Sequence, residues 1–447
     1  MNHLIQVSTF FQTIFATLLA DDIRKTDPDA RVLLLKVNSS FAPEITPGIA
    51  EVPGASTLFA HFNEVIDLND ALWPIHPRGF NVSASTAAHY EKWLRREWQL
   101  PESEELRLYL SWSPSMPPGS TLARIFRDSE LAIHFDGLMS YGPLPGALDT
   151  DTYHRVSGVH YLELIPGLRP TSLHTPATEF VPYELSRFRS VIDELVSATG
   201  NSVTGLKESG TRSAVLIGQY LGSLDLMTLD EEIELHKSMV AEAIENGCTK
   251  LFFKPHPASA SSVLQPVQSF AEKGGVELVV VHDNSPAELL FAAVQPELVV
   301  SCFSTALATA HYGFAIEARA VGAGDLLSSL TPYQNSNRIP VTIAHYCFGE
   351  QPGGRPDIDV LQNLVYTVSY CMHPHLSRSM RPLALEFLEQ TYSEFAQYFK
   401  RRRLTALDLP GKLPPQSAQD KIKRQARRRI GGVISRTKNE IDKMVRR

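Results

Sequence analysis

Short, nearly unbroken apolar runs alternate with helix-spaced stretches along most of this 447-residue chain, and that alternation restricts the fold more than any other feature. His3-Leu4-Ile5-Gln6-Val7 reads as a strand. Residues 10–25 carry apolar side chains at helical spacing (Phe11, Ile14, Leu18, Ile23), and residues 30–37, ARVLLLKV, are apolar almost throughout. A strand covered on both faces loses the polar alternation of an antiparallel sheet, so these runs predict parallel strands under helices. Residues 106–110, 129–135 and 160–165 continue the series. A second series begins near Ser213, with strands at 214–219, 251–254, 276–281 and 298–302 and helices at 230–245, 285–293 and 304–311. The pattern predicts an α/β chain with two Rossmann-like domains face to face. Their expected spans are 1–200 and 206–375, joined by a polar linker near 198–202. Helices at 376–410 and a basic tail at 411–447 follow.

Hydrophobic residues make up 43% of the chain, enough for two cores of ordinary size. The four cysteines (Cys248, Cys302, Cys347, Cys371) have no CxxC spacing and read as buried thiols of a reducing compartment. Residues 1–20 lack a basic start and are broken by Gln6, Ser8, Thr9, Gln12 and Thr13, which argues against a signal peptide or membrane span. The net charge of −7 divides unevenly. Residues 411–447 hold 12 Lys/Arg against 3 Asp/Glu, which leaves the rest of the chain at −16.

Four short motifs fall where strands give way to loops. In open α/β sheets, ligands bind at the carboxyl ends of the strands. Phe135-Asp136-Gly137 lets a carboxylate project at a tight turn. Lys254-Pro255-His256-Pro257 sets a cation and an imidazole in a turn stiffened by two prolines. Ser285-Pro286-Ala287-Glu288 has capping-box spacing. Phe303-Ser304-Thr305 opens a helix, where hydroxyls and N–H groups suit an anion. Together they read as a nucleotide-donor pocket facing a carboxylate from the first domain. Lys254 and His256 would supply positive charge, Ser304 and Thr305 donors, and Glu288 a ribose ligand. Glu288 suits a helix cap equally well, Ser304 a simple N-cap, and Asp136 a turn.

In this order the Asp-Gly, His-Pro and Ser-Thr motifs resemble those of the bacterial sialyltransferase and polysialyltransferase superfamily. The similarity is greatest to its α-2,8-polysialyltransferase and lipooligosaccharide sialyltransferase branches. It spans roughly residues 1–375 and includes the strand end Gly218-Gln219. The resemblance implies a GT-B fold and an inverting, metal-independent transferase that needs no cofactor. Its substrates would be a CMP-activated sialic or other nonulosonic acid and a cell-surface glycan or glycolipid. It implies Asp136 as general base and His256 as the group assisting CMP departure. Lys254 would help hold the cytidine, Glu288 the ribose, and Ser304 and Thr305 the phosphate, with Pro257, Gly218 and Gln219 completing the donor side. Phe135 departs from the family pattern, which has an acidic residue there.

Other features carry less. Asp149-Thr150-Asp151 has the spacing of a metal-binding DxD but fits an ordinary polar loop. His76-Pro77 and His373-Pro374 read as plain turns, and His134 as core. The serine- and proline-rich stretch 111–120 suits an acceptor cleft or an ordinary loop. The tail places Ile422, Ile430, Val433, Ile434, Ile441 and Val445 among cations, with Lys400-Arg401-Arg402-Arg403 upstream. A basic amphipathic segment suggests docking on the anionic inner face of a membrane, hence a cytoplasmic, peripheral protein. Without aromatic interleaving the tail does not suggest nucleic acid. Two alternatives remain at this point. One is a teichoic-acid-type transferase using CDP-glycerol or CDP-ribitol, and the other is a non-catalytic subunit of a glycan assembly complex.

Overall fold

The apolar runs fold as parallel strands in a computed structural model of the chain. It describes all residues except 41, 42, 44, 45, 112, 113, 145, 174–177, 200–210, 257, 258, 350–355 and 415–447. Seven strands make the first sheet: β1 (Asn2–Val7), β2 (Arg31–Lys36), β3 (Glu64–Asp67), β4 (Leu106–Ser111), β5 (Glu130–Phe135), β6 (Val156–Leu162) and β7 (Glu179–Tyr183). Their order is β3-β2-β1-β4-β5-β6-β7, with every pair parallel. The second sheet holds β8 (Ser213–Ile217), β9 (Lys250–Lys254), β10 (Glu277–Val280), β11 (Leu298–Ser301) and β12 (Glu317–Ala320), ordered β10-β9-β8-β11-β12 and again all parallel. Both orders reverse direction beside the first strand of the sheet, which creates the crevice where α/β proteins bind ligands.

Burial explains which signals were legible. Strands β1, β8, β9 and β11 are buried at every residue, and they are the unbroken apolar runs. The strands the sequence did not disclose, β3, β7 and β12, are edge strands of four or five residues with partly exposed faces. The expected strand at 160–165 begins at Val156 instead, because His160 pairs with His134 in the middle of the ladder. The expected helix at 304–311 is four residues of α-helix, Thr305–Ala308, passing into a π-turn, Thr309–Gly313.

Helix Leu185–Thr199 holds the two sheets in one body. Its buried residues Leu185, Phe188, Val191, Ile192 and Leu195 form one apolar stripe. The stripe packs against helix Phe10–Thr26 of the first half and against helix Ala287–Val294 and the π-turn of the second. Phe188 meets Phe11 at a ring-centroid distance of 4.8 Å, and the Arg189 guanidinium lies 5.0 Å from the Phe314 ring centre.

The chain divides into two compact units, Met1–Phe387 and Leu388–Arg447. Helix Arg381–Phe395 spans the division, and Arg401–Leu407 follows. No helix among the described residues is long and apolar enough to cross a membrane. The four cysteines are free thiols, and Cys248, Cys302 and Cys371 are buried.

Because Phe188 is completely buried where both halves meet, Phe188→Ala should cost about 3–5 kcal/mol of unfolding free energy. Urea unfolding measures it, and a loss below about 1 kcal/mol would contradict a shared core at this helix.

Candidate active site

The carboxyl ends of both sheets line one cleft. A cavity of about 290 Å³ is bounded by Thr9 and Phe10 after β1, Gly218 after β8, Lys254 and His256 after β9, and Ser304 and Thr305 after β11. This is the GT-B arrangement of two doubly wound halves. Glu288 also lines the cavity, and Pro257 lies outside the described residues.

Asp136 leaves the end of β5 at the turn begun by Gly137. Burial raises its pKa from 3.8 to about 6, against the opposing effect of a hydrogen bond from Gln12. Gln12 Nε2 donates to Asp136 Oδ1 at 3.4 Å. The amide is fixed from its other end, because Gln12 Oε1 accepts from Ser8 N at 2.7 Å. Thr9 caps the same helix by accepting from Gln12 N at 3.1 Å. The carboxylate thus sits at an intermediate pKa in a fixed orientation, which suits a base working near neutral pH. Phe135 is buried in the core, so its side chain adds nothing to the cleft surface. His134 is core as well: its Nε2 donates to Gln6 O at 2.6 Å, and burial lowers its pKa to about 4.

The two halves touch beside Asp136. Leu138 N donates to Thr305 Oγ1 at 3.2 Å. A Cβ on Gly137 would lie 3.3 Å from the same hydroxyl oxygen, so glycine permits the close approach. Ser304, one residue earlier, is the N-cap of its helix, with Oγ accepting from Ala306 N at 3.2 Å. Both hydroxyls keep a proton to donate.

Three expectations for the second half need correction. Lys254 does not present an uncompensated charge, because its Nζ donates to Asp283 O at 3.0 Å and pairs with the Asp283 carboxylate. Burial would raise Asp283, but hydrogen bonds from Lys254 and Ser285 and the ammonium charge hold it below the usual carboxylate range. His256 is not a standing cation either, since burial lowers its pKa to about 4. Glu288 does not cap its helix. The N-cap is Pro286, and Ser285 Oγ bonds to Asp283 Oδ1 at 2.6 Å instead. Glu288 is 3% exposed, accepts from Thr309 Oγ1 at 2.6 Å, and has its pKa raised by burial. Thr309 opens the π-turn, a distortion common near functional sites.

Gly218 and Gln219 shape the floor. A Cβ on Gly218 would come within 3.1 Å of Phe253 Cζ and 3.2 Å of Pro255 Cα, so glycine lets the His-Pro loop close over β8. Gln219 N donates to His236 Nε2 at 3.2 Å. Gln219 Oε1 is buried with no hydrogen-bond donor among the described residues. Glu232, one turn before His236 on helix Leu229–Glu245, accepts from Gly222 N at 2.6 Å. These two bonds fix the loop carrying Tyr220, which stacks on His256 at 3.9 Å between ring centres and 25° between planes.

Sequence reasoning missed Gln12, Tyr220, Asp283 and Thr309. Thr9-Phe10-Phe11-Gln12 does have capping-box spacing, and Tyr220 directly follows Gly218-Gln219. Nothing local links Asp283 to Lys254 or Thr309 to Glu288. Asp149 is the N-cap of helix Thr150–Arg155, accepting from Thr152 N at 2.9 Å, and Asp151 pairs with Arg155 at 3.4 Å. Among the described residues, no three His, Cys, Asp or Glu side chains are grouped to hold a metal ion.

Comparisons with known proteins follow the same lines. No curated protein sequence matches the chain. Among solved structures, a sialyltransferase from Photobacterium damselae overlays with a TM-score of 0.43 and 11% identity, over 77% of this chain and 96% of that one. An α/β-galactoside α-2,3-sialyltransferase from Photobacterium phosphoreum gives 0.41 and 13%, over 69% and 87%. MurG from Acinetobacter baumannii gives 0.39 and 12%, over 86% and 94%. These likenesses are distant and assign no residue a role. The family model for alpha-2,8-polysialyltransferase matches residues 3–321, which include both sheets and the whole cleft. The chain therefore belongs to the alpha-2,8-polysialyltransferase family and is a glycosyltransferase.

Proposed function

We propose that the protein transfers a sialic acid, or a related nonulosonic acid, from a CMP donor to a glycan, with inversion and without a metal. The observation that supports this reading is that the turn carrying Asp136, whose pKa burial raises to about 6, meets the second half at Thr305, a residue lining the donor-side cavity. Asp136 Oδ takes the proton of the acceptor hydroxyl as its oxygen attacks the anomeric carbon of the donor sugar. The bond from that carbon to the phosphate oxygen breaks on the opposite face, and its electron pair leaves with CMP. The sugar passes through an oxocarbenium-like state, as in glycoside hydrolysis. The leaving group is already a stable anion, so the second half needs only to stabilise charge on phosphate oxygens.

His256 is neutral before the donor arrives and therefore begins as a hydrogen-bond donor to the phosphate; the incoming negative charge favours its protonation. Tyr220 sets the plane of its ring. The hydroxyls of Ser304 and Thr305 donate to the phosphate, and Glu288 reaches the ribose from its Thr309 contact. Lys254, held by Asp283, acts as a positioned dipole and not as a mobile cation. Gly218 and Gln219 bring the β8 loop against the nucleotide. The basic segment 411–447, described only to residue 414, would dock the enzyme on the anionic inner face of a membrane.

A base that works only when ionised gives a rate that rises with pH through its pKa. The kcat/KM profile should therefore climb near pH 6 and level off above it, with no second inflection from His256 between pH 6 and 8. Gln12→Met removes a bond that favours the carboxylate, so the rising limb should move to higher pH. An unmoved limb would contradict that role. Asp136→Asn should reduce transfer by a factor of roughly 10²–10⁴ while CMP still binds, as titration calorimetry would detect; near-normal transfer would remove Asp136 as the base. Deleting 415–447 should abolish co-sedimentation with anionic liposomes, and equal binding would end the membrane assignment.

A further inference from the structure

We propose that Arg338 and Thr342, one turn apart at the start of helix Arg338–Phe348, hold a buried anion of halide size, with chloride as its ordinary occupant. The site lies apart from the donor-side cavity and does not depend on the transferase reading.

Arg338 is fully buried. A guanidinium stays protonated in proteins, and an ion taken out of water without a counter-charge costs stability. Burial lowers the Arg338 pKa, and the groups that oppose this are the Tyr333 phenol and the Cys371 thiol. No Asp or Glu among the described residues pairs with it. Its Nε donates to Tyr333 O at 2.9 Å, and Nη2 donates to Leu330 O at 2.8 Å. The guanidinium carbon lies 4.1 Å from the centre of the Tyr333 ring. Two carbonyl dipoles and a ring face supply only partial negative charge, so the full positive charge has no ionic partner. The remaining nitrogen, Nη1, is buried and meets no acceptor among the described residues.

Thr342 supplies a second, independent observation. It is also fully buried, and its Oγ1 has no hydrogen-bond partner among the described residues. Other helical threonines of this chain donate to the carbonyl one turn earlier: Thr13 to Thr9 O at 3.0 Å, Thr199 to Leu195 O at 2.8 Å, and Thr367 to Asn363 O at 2.7 Å. Thr342 makes no such bond, so its hydroxyl proton is available to another acceptor. Residues four apart share one face of a helix, which puts both unpartnered side chains on the same side. The positive end of the helix dipole adds to the attraction, and the N-cap residue Asn337 places no side-chain oxygen there.

A fixed cation and a hydroxyl, with no carboxylate beside them, define an anion site. Burial sets its size. Ile339, Val341 and Ile343 on the same helix are buried and apolar, so they offer no side-chain donors to the several oxygens of a sulfate or phosphate. A monatomic anion needs only the two donors. A water molecule would satisfy both atoms but leave the charge uncompensated. The helix packs against the turn Leu138–Tyr141 that follows Asp136-Gly137, and a Cβ on Gly142 would come within 2.8 Å of Ile339 Cγ1. The anion thus fixes the start of the helix that backs the Asp136 turn.

The test follows thermal unfolding of the full chain in sodium chloride and in sodium gluconate at one ionic strength. An anion bound only by the native state raises Tm in a saturable way, here by about 2 °C or more in chloride over gluconate. Arg338→Met should abolish the difference. Thr342→Val keeps the cation and the side-chain shape, so it stays informative if Arg338→Met does not fold. It should raise the chloride concentration for half the effect about five-fold, the loss of one hydrogen bond. Crystals grown in sodium bromide should show an anomalous-scattering peak between Arg338 Nη1 and Thr342 Oγ1. Equal Tm in the two salts, a chloride response unchanged by Thr342→Val, or a water molecule at that position in the bromide crystals would each overturn the proposal.

Discussion

One contact across the cleft sets the relation between the two halves of the reaction. The hydrogen bond from Leu138 N to Thr305 Oγ1 ties the turn carrying Asp136 to the helix start of the second half. A side chain at Gly137 would press on that hydroxyl, so the glycine of the Asp-Gly pair serves the approach of two domains as well as a tight turn. Beneath the seam, the apolar stripe of helix Leu185–Thr199 packs on helices from both halves. Two Rossmann-like sheets do not of themselves specify how their loops meet; this seam and this stripe do.

The electrostatics of the cleft follow from burial more than from the number of charges. Asp136 is raised to about 6 and His256 lowered to about 4, both chiefly by loss of water. Lys254 is paired, and Glu288 is buried against Thr309. The wall formed by Lys254 and His256 therefore presents no uncompensated cation before a phosphate enters. That arrangement avoids holding uncompensated charge in a protected site, which is costly.

The sequence disclosed most of the fold, for a physical reason. Strands such as 298–301 are covered on both faces, so their composition carries the signal alone. The edge strands at 64–67 and 317–320 are short and half-covered, and their residues read as loop. The strand-end positions of Asp136, His256, Ser304 and Thr305 were legible because Gly, Pro and hydroxyl residues mark strand ends. Their partners were not, because each contact joins distant segments. Gln12 meets Asp136 across 124 residues, and Asp283 meets Lys254 across 29. Residue type led to Lys254 and His256 being read as cations, whereas pairing and desolvation decide their charge.

The proposed transfer depends on the ionisation of a single carboxyl group, that of Asp136. A ¹³C NMR titration of Asp136, with Asp136→Asn used to assign its resonance, measures it directly. The structure predicts a midpoint near 6, and the same midpoint should govern the rise of kcat/KM. A midpoint at the ordinary value of 3.8, with a rate limb that does not track it, would contradict Asp136 as the base on which the cleft is organised.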